Sequence, residues 1–244
     1  GPQAVAFPYA AEPGLVRAWR VRMSHHDTSH HDTGADMPSA YAELCVTSNF
    51  TFLTGASHPE ELVLRASELG LAALAITDRN SLAGVVRAWS ALRSLEKERS
   101  EALRIRSSAQ IDGCSRQEVG PPRDLPAPAF DRLPRLIVGC RLVLRDCPLH
   151  WIALPTDRAA YERLTRLLTL GKRRAGKGDC HLDLADLAAS AEGMILIALP
   201  QGPLRSAIHQ ASAPLQHLQR LYPGQVYLGA APRYDGSDQA WFDA

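Results

Sequence analysis

The stretch YAELCVTSNFTFLTGASHPEELVLRASELGLAALAITDRNSLAG, residues 41 to 84, decides the fold of this chain. It predicts a strand over Tyr41–Val46, a glycine turn, a helix, and a second strand over Ala72–Ile76 that ends in Thr77-Asp78-Arg79. Both strands are short apolar runs between polar or glycine residues, as expected for strands buried on both faces of a parallel sheet. The stretch therefore predicts one β-α-β unit.

The helix of this unit carries signals at both ends. Ser57 followed by Glu60 matches a capping box, and Pro59 is tolerated in the first helical turn. Gly70 suits the left-handed position that closes a helix. The predicted apolar face consists of Leu62, Ala66 and Leu69.

Composition limits the classes of protein to which the chain can belong. It has 244 residues, of which 45% are hydrophobic. The formal net charge of +1 argues against a strongly basic surface that binds nucleic acid, although it allows a local basic patch. No apolar run is long enough to span a bilayer, and the N-terminus lacks the apolar core of a signal peptide, so we expect a cytoplasmic protein with no membrane partner. The five cysteines include no Cys-x-x-Cys pair, which predicts reduced thiols.

Residues 1–37 are predicted to be a flexible, histidine-containing leader. Gly1-Pro2 resembles the remnant of a cleaved tag, and the segment Ser24–Thr28 is repeated as Ser29–Thr33. Such a tract binds metal adventitiously, so metal found there would say nothing about function. The domain proper is predicted over residues 38–244, with a Pro-rich insertion at about residues 100–134, in which we favour disorder for Gly113–Ala129.

After the insertion, strands and helices alternate again. A helix capped by Asp157 is predicted to run through Leu170. Its expected apolar face consists of Tyr161, Leu164, Leu167 and Leu168. The other predicted elements are strands over Leu136–Gly139, Trp151–Leu154, Met194–Leu199 and Gln225–Gly229, and helices over Leu204–Gln210 and Pro214–Leu221. Strands separated by helices predict parallel pairing, hence an open α/β sheet or a barrel.

Several motifs of common enzymes are missing from the sequence. It contains no Gly-x-Gly-x-x-Gly and no Gly-Lys-Ser/Thr, which argues against nucleotide binding through such loops. It also lacks a Gly-x-Ser-x-Gly elbow and a His-Glu-x-x-His pair. Functional side chains of α/β folds gather at the carboxyl ends of strands, so those ends are the place to look.

Three predicted strand ends are Cys45-Val46-Thr47, Thr77-Asp78-Arg79 and Gly139-Cys140-Arg141. Together they resemble the polymerase and histidinol phosphatase (PHP) family of metal-dependent phosphoesterases. The resemblance is closest to the PHP domain at the N-terminus of bacterial DNA polymerase III alpha subunits, and in particular to their error-prone paralogue. Further segments that carry it are Ser48–Leu53, Gly55–Leu62, Ala75–Asp78, Ser81–Ala88, Ile137–Cys140 and Thr156–Arg158. The fold implied is a distorted (β/α)7 barrel of the PHP type, here truncated before its C-terminal element.

The resemblance also implies that the metal site of the family is degenerate in this chain. PHP sites bind two or three divalent metals through His, Asp and Glu. The two histidines of the family's His-x-His pair correspond to Cys45 and Thr47, and the acidic residue of the glycine turn corresponds to Thr54. The histidine of the family's Thr-Asp-His motif corresponds to Arg79, whereas its aspartate is kept as Asp78. A glutamate ligand of the family corresponds to Arg141. Threonine is a poor ligand and arginine repels a dication, so we expect a degenerate site with no metal and no catalytic residue in this domain.

Three alternatives stay open for these residues. The preferred hypothesis is that Arg79 and Arg141 form salt bridges with Asp78 and fill the former cavity. The two arginines could instead hold a phosphate or a carboxylate of a partner. A zinc site built from Cys45, Asp78 and His58 or His150 is the third and least favoured alternative.

The function implied by the resemblance is that of a structural and partner-docking domain of an error-prone translesion polymerase, active in DNA damage-induced mutagenesis. The partners implied are the rest of the polymerase chain and, through it, mutagenesis-cassette proteins, the sliding clamp and DNA. The parent polymerase would use magnesium in a palm domain that this chain does not contain. The alternative function is a metal-dependent phosphoesterase or 3′–5′ proofreading exonuclease.

A basic patch is predicted at a helix end. It consists of Lys172, Arg173, Arg174 and Lys177. Cations near a helix C-terminus are favoured electrostatically, so capping and solubility are the preferred explanation, with a contact to DNA or a partner as the alternative. Trp89 and Trp151 are predicted to anchor the core, and Trp241 to be exposed.

Overall fold

A computed structural model describes residues 18–20, 41–112, 132–201 and 204–230. The elements in chain order are β1 (Ala18–Arg20), β2 (Ala42–Val46), α1 (Pro59–Glu68), β3 (Ala73–Ile76), α2 (Ala83–Asp112), β4 (Arg135–Val138), β5 (Cys140–Val143), β6 (His150–Pro155), α3 (Arg158–Arg174), α4 (Leu184–Ser190), β7 (Met194–Leu199), α5 (Leu204–Leu221) and β8 (Val226–Ala230). The chain divides into two compact units. The small-sheet unit is Asp32–Cys140, and the large-sheet unit is Gly1–His31 with Arg141–Ala244.

The small-sheet unit confirms the predicted β-α-β arrangement. Its three strands lie in the order β2-β3-β4, and both pairs are parallel. The central strand β3 is fully buried, whereas every residue of β2 is only half-buried, contrary to the prediction that both faces would be covered. The reason is that β2 lies at an edge of its sheet. The core side chains are Val63, Ala66, Leu74, Ile76, Val85, Ala88 and Leu92.

Helix α1 begins one residue later than predicted. Its N-cap is His58 and not Ser57, and the Glu61 carboxylate accepts a hydrogen bond from the His58 backbone N–H at 2.8 Å. The end signal is confirmed, because Gly70 has a φ of 66°. Leu69 is exposed, since it lies beyond the last helical turn, and Val63 takes the buried position instead.

Helix α2 is longer than the sequence analysis allowed. It runs for 30 residues to Asp112, so the predicted insertion does not begin near residue 100. Residues 94–107 are mostly good helix formers, and exposed i,i+3 ion pairs such as Arg104–Glu101 at 2.8 Å support the helix. The disorder predicted for Gly113–Ala129 falls outside the described residues.

The large-sheet unit contains five strands in the order β1-β8-β7-β6-β5. Strands β7 and β8 are parallel as predicted, but β6 and β7 are antiparallel, which corrects the expectation of parallel pairing. The chain passes through two helices between β6 and β7, because α4 follows α3 and was not predicted. A single crossover helix between two strands makes them parallel. A second helix reverses the chain direction once more, so the next strand runs antiparallel to the first. The described strands form two sheets, so closure of a barrel stays a prediction.

Other local predictions had mixed outcomes. The Asp157 carboxylate accepts a hydrogen bond from the Ala160 backbone N–H at 2.7 Å and caps α3 as predicted, but Tyr161 on that helix is exposed. Helix α5 is continuous across Pro214, where two pieces were predicted. Trp151 is fully buried, whereas Trp89 is 56% exposed, because α2 packs inward through the face that carries Val85, Ala88 and Leu92. Trp241 lies outside the described residues.

Within the predicted leader, the structure describes only Ala18–Arg20. These residues form β1, a strand that the sequence analysis missed, and it pairs in parallel with β8. Among the helices that the structure describes, none combines the length and the apolar character needed to cross a membrane.

Candidate functional site

A buried carboxylate forms the centre of the candidate site. Asp78 follows the end of β3 and is 1% exposed. Its Oδ1 atom accepts hydrogen bonds from the Ser48 backbone N–H at 2.8 Å and from the Thr51 hydroxyl at 2.8 Å. Its Oδ2 atom accepts one from the Ser48 hydroxyl at 2.7 Å. We call Ser48, Thr51 and Asp78 the Asp78 network. A carboxylate this deeply buried needs such donors, because an unpaired buried charge is very costly.

The two hydroxyls of the Asp78 network are also acceptors. Ser48 Oγ accepts a hydrogen bond from the Phe50 backbone N–H at 3.2 Å, and Thr51 Oγ1 accepts one from the Arg79 backbone N–H at 2.9 Å. A hydroxyl has one proton to donate, and here each proton is directed at the carboxylate. The network is therefore closed, and none of its members can turn away without breaking a second bond.

The local sequence explains how Ser48 and Thr51 reach Asp78. Strands β2 and β3 are parallel neighbours, so their carboxyl ends meet at the same edge of the sheet. The chain then turns back on itself within residues 47–57, where the Thr51 N–H donates to the Ser48 carbonyl at 2.9 Å and the Gly55 N–H donates to the Thr51 carbonyl at 3.0 Å. This turn places two hydroxyls over the end of β3.

Gly84 closes the network from the side of α2. A Cβ atom at residue 84 would lie 2.5 Å from Asp78 Oδ2 and 2.9 Å from Ser48 Oγ. Both distances are far below van der Waals contact, so only glycine fits without movement of the network. Below the carboxylate, the Cys140 thiol donates to the backbone carbonyl of Asp78 at 3.5 Å, which gives this buried thiol a partner.

Replacing Gly84 with alanine is expected to lower the free energy of unfolding by about 2 kcal/mol, because the new methyl group overpacks the Asp78 network. At an unconstrained helical position, the same change would stabilise the protein by up to about 1 kcal/mol, so the sign of the effect is diagnostic. Urea denaturation followed by circular dichroism measures it. Gly176→Ala is the matched control, because nothing lies within 4 Å of a Cβ there. A Gly84→Ala variant as stable as the control would contradict the close packing.

The positions that correspond to PHP metal ligands have different environments. Cys45 on β2 and Thr47 just after it are half-buried, while Thr54 and Arg79 are exposed. Arg141 is half-buried on β5 and belongs to the large-sheet unit. Of the predicted positions, Asp78 is the one placed at the end of β3 with the three hydrogen bonds described above.

The preferred role of Arg79 was wrong. Its side chain is exposed, and among the described residues no ion pair joins it to Asp78. Asp78 instead obtains its donors from Ser48 and Thr51. The reason is geometric, since these hydroxyls approach the carboxylate from the neighbouring loop, whereas the Arg79 side chain points to solvent and only its backbone N–H joins the network.

The residues present do not fit the divalent metals of the PHP family. Three donors direct their protons at Asp78, so a cation would have to displace them. Thr47 and Thr54 are neutral and Arg79 is a cation, which is unfavourable around a dication. Across residues 18–20, 41–112, 132–201 and 204–230, no three His, Cys, Asp or Glu side chains are grouped as metal ligands.

The alternative zinc site of Cys45, Asp78 and a histidine is likewise not assembled in this part of the chain. His58 is engaged elsewhere, because its Nδ1 lies 2.8 Å from the Asn49 amide nitrogen. His150 lies on β6 in the large-sheet unit. None of the four described cysteines is in a disulfide, and burial raises the pKa of the Cys180 thiol, an effect that nearby Lys172 opposes.

Sequence reasoning missed Ser48, Thr51 and Gly84 as members of the site. A signal was present, since Ser48 and Thr51 are hydroxyl residues at i and i+3 shortly after a strand, and Thr51 lies between Phe50 and Phe52. Their partner could not be deduced from spacing, because it lies 30 and 27 residues further along the chain.

The predicted basic patch lies at the end of α3. Lys172, Arg173 and Arg174 form its last turn, Lys177 follows it, and all four are exposed. Arg174 forms an ion pair with Asp186 of α4 at 2.6 Å. One member of the patch thus ties two helices together, a role that was not predicted from the sequence, while capping, solubility and a contact to DNA or a partner stay predictions.

Comparisons with known proteins add to this geometry. The PHP domain family matches residues 43–228. A protein of Ruegeria pomeroyi named error-prone DNA polymerase is 72% identical over 204 residues, which are 84% of this chain and 18% of that protein. A protein of the same name from Rhodopseudomonas palustris strain BisB5 is 42% identical over 200 residues, which are 82% of this chain and 15% of that protein.

Solved structures are similar to this chain as well, and one of them is a bacterial protein. It is described as a candidate metal-dependent phosphoesterase from Bifidobacterium adolescentis, is 14% identical, and aligns over 78% of this chain and 77% of its own with a TM-score of 0.47. The chain spans less than a fifth of the length of the two polymerase relatives. The likeness to those longer proteins is therefore confined to one part of them.

Proposed function

The chain belongs to the PHP domain family, and from that premise we propose that it is the N-terminal PHP domain of an error-prone translesion DNA polymerase. The 72% identity to a protein named error-prone DNA polymerase supports this parentage. The parent chain would be a nucleotidyltransferase that acts in DNA damage-induced mutagenesis and uses magnesium in its palm domain. Since bacterial DNA is copied in the cytoplasm, the proposal places the chain there.

Within that polymerase, the domain itself has a structural and docking function and does not catalyse a reaction. The observation that carries this proposal is the Asp78 network. The one acidic residue kept from the family motif accepts three hydrogen bonds from Ser48 and Thr51, and it serves as a cross-link between the loop after β2 and the end of β3. Neutral donors have taken the place that metal ions would need.

The loop that this cross-link holds supports the docking part of the proposal. Phe52 is 84% exposed and Leu53 is 91% exposed. Leu53 also has a φ of 62°, a left-handed conformation that is unfavourable for a residue other than glycine. Two large apolar side chains presented to solvent by a constrained turn are typical of an interaction site. The rest of the polymerase chain is the proposed partner, and mutagenesis-cassette proteins and the sliding clamp would be reached through that chain.

The chemistry of mutagenesis agrees with a domain that has lost its nuclease activity. A polymerase that copies damaged templates must extend mismatched primer ends. A 3′–5′ exonuclease in the same chain would remove those ends before they could be extended.

Metal analysis and a nuclease assay test the proposal. We expect substoichiometric manganese or zinc after dialysis, and no hydrolysis of single-stranded DNA in manganese above that of buffer alone. The chain should carry alanine at the four leader histidines His25, His26, His30 and His31, because these bind metal adventitiously. Substitution is preferable to truncation, since β1 pairs with β8.

Stoichiometric metal together with nuclease activity would overturn the structural function and favour a metal-dependent phosphoesterase or exonuclease. Activity from the candidate site should then be lost in Cys45→Ala. Cys180→Ala is the matched control, because Cys180 lies in the other unit.

A further inference from the structure

The outer face of α3 contains an open groove with a basic lining. The groove measures about 650 Å³ and is lined by Thr165, Arg166, Thr169, Leu170, Arg173 and Arg174, which we call the α3 groove. All six residues lie on one helix within the large-sheet unit. Three of the six are arginines and none is an acid, so the groove is suited to an anion.

Charge is concentrated around the α3 groove. Residues 158–177 contain seven lysines and arginines and one glutamate, although the whole chain has a net charge of only +1. Cations of the last turn are explained in part by the negative end of the helix dipole. That explanation does not extend to Arg166, which lies in the middle of α3.

The three arginines of the groove differ in how firmly they are held. Arg174 is bound to Asp186, whose carboxylate also accepts the Asp183 N–H at 3.0 Å, so this pair is part of the α4 cap. Arg166 pairs with Glu162 at 2.5 Å, but both side chains are exposed, so solvent screens the pair and a ligand can compete for the guanidinium group. Arg173 forms no ion pair with any described residue. Arg166 and Arg173 are thus available to a ligand.

The spacing of these two arginines matches a repeating anion. They are seven residues apart on α3, which places them on one face and about 10 Å apart along the helix axis. Successive phosphates of one DNA strand advance by about 3.4 Å along the duplex axis, so both guanidinium groups can bind the same strand. The planar guanidinium fork binds phosphate oxygens in pairs, which lysine cannot do.

The remaining lining residues shape the floor of the groove. The hydroxyls of Thr165 and Thr169 donate back to carbonyl groups of α3, each at 2.8 Å, so they present a neutral surface with no free proton. Leu170 is partly exposed between the two arginines and adds apolar contact. A strand of nucleic acid can match both the charged and the uncharged parts of this lining, since its charged phosphates alternate with less polar sugars.

We propose that the α3 groove binds the phosphodiester backbone of nucleic acid through Arg166 and Arg173. The choice of nucleic acid over another polyanion rests on the proposed function, in which DNA is the substrate of the parent polymerase. The contact is independent of base sequence, because phosphates carry no sequence information.

Fluorescence anisotropy of the 244-residue chain with a labelled single-stranded oligonucleotide tests this proposal over a series of salt concentrations. In the double variant Arg166→Gln/Arg173→Gln, we expect an affinity loss of about tenfold at low salt. The slope of log affinity against log salt should become shallower by about 1.4, which corresponds to two lost phosphate contacts on a single strand.

Arg65→Gln/Arg104→Gln is the matched control. It removes the same charge from two exposed arginines that pair with glutamates in the small-sheet unit. Its affinity should stay within about twofold of that of the unaltered chain, because long-range charge effects are screened. Circular dichroism should show that both variants are folded, since all four side chains lie at the surface.

Three results would overturn the proposal. These are no binding by the unaltered chain at low salt, an unchanged affinity and slope in Arg166→Gln/Arg173→Gln, or an equal loss in the control variant. None of them bears on metal content or nuclease activity, so failure of this proposal and failure of the proposed function can be told apart.

Discussion

Replacing Asp78 with alanine is expected to lower the free energy of unfolding by about 3 kcal/mol, because it removes a buried acceptor and leaves its donors without one. The donors are the Ser48 N–H and the hydroxyls of Ser48 and Thr51. Each is deep in the small-sheet unit, where water cannot easily replace the carboxylate. Equilibrium urea denaturation followed by circular dichroism and tryptophan fluorescence measures the loss.

Two controls separate the network from general effects of charge. Asp78→Asn keeps the shape of the side chain and one acceptor oxygen, so we expect a loss of about half that of alanine. Glu101→Ala removes a carboxylate whose only described partner is the exposed Arg104, so the free energy of unfolding should stay close to that of the unaltered chain. If Asp78→Ala were as stable as the unaltered chain, Asp78 would not be a structural cross-link. Stability that falls on addition of a chelator would instead point to a bound metal.

Replacing Gly55 with alanine is also expected to lower the free energy of unfolding by about 3 kcal/mol, at the upper end of the cost of overpacking. A Cβ atom at residue 55 would lie 2.0 Å from the Ser48 carbonyl oxygen and 2.5 Å from the Ser48 carbonyl carbon. These are backbone atoms, which cannot move as the end of a flexible side chain can. The Ser48 N–H and hydroxyl donate to Asp78, and the Ser48 carbonyl accepts from the Thr51 N–H, so Ser48 is fixed in place. The turn cannot open without breaking the Asp78 network.

The measurement is again urea denaturation, with Gly176→Ala as the comparison. A glycine-to-alanine change in open space stabilises a protein by about 0.4–1 kcal/mol, because it restricts the unfolded chain. We therefore expect the two variants to change stability in opposite directions. A Gly55→Ala variant that is as stable as Gly176→Ala would show that residues 47–57 do not fold back as described. In a Gly55→Ala/Asp78→Ala double variant, the losses should not add, since both changes break the same network.

Much of the fold could be predicted from local patterns. The β-α-β unit was predicted from two apolar runs and a helix with end signals, and the strand Met194–Leu199 was predicted to the residue. Errors arose where a feature depends on packing between distant segments. Trp89 was placed in the core because of its size, yet the face of α2 that carries Ala88 and Leu92 packs inward and leaves Trp89 outside. The antiparallel pairing of β6 and β7 was missed together with the short helix α4.

In the candidate site, too, residue types could be compared with the family from the sequence, whereas the contacts between side chains could not be predicted. From the resemblance, Cys45, Thr47, Thr54 and Arg79 were assigned to positions where the PHP family has histidine or carboxylate ligands, and that assignment stays a prediction. The role assigned to Arg79 was wrong, because a carboxylate accepts bonds from whichever donors the fold brings nearest. Here those donors are two small hydroxyl side chains from a loop nearly thirty residues away.

For this chain, residue order alone was enough to predict the family and the main strands and helices, since each depends on neighbours along the chain or on residue chemistry. The closed Asp78 network and the tight fit of Gly55 and Gly84 around it emerged only once the chain was folded. Hydrogen bonds, steric contacts and clustered charges act over a few ångströms of space, and the parallel packing of β2 against β3 determines which residues come that close.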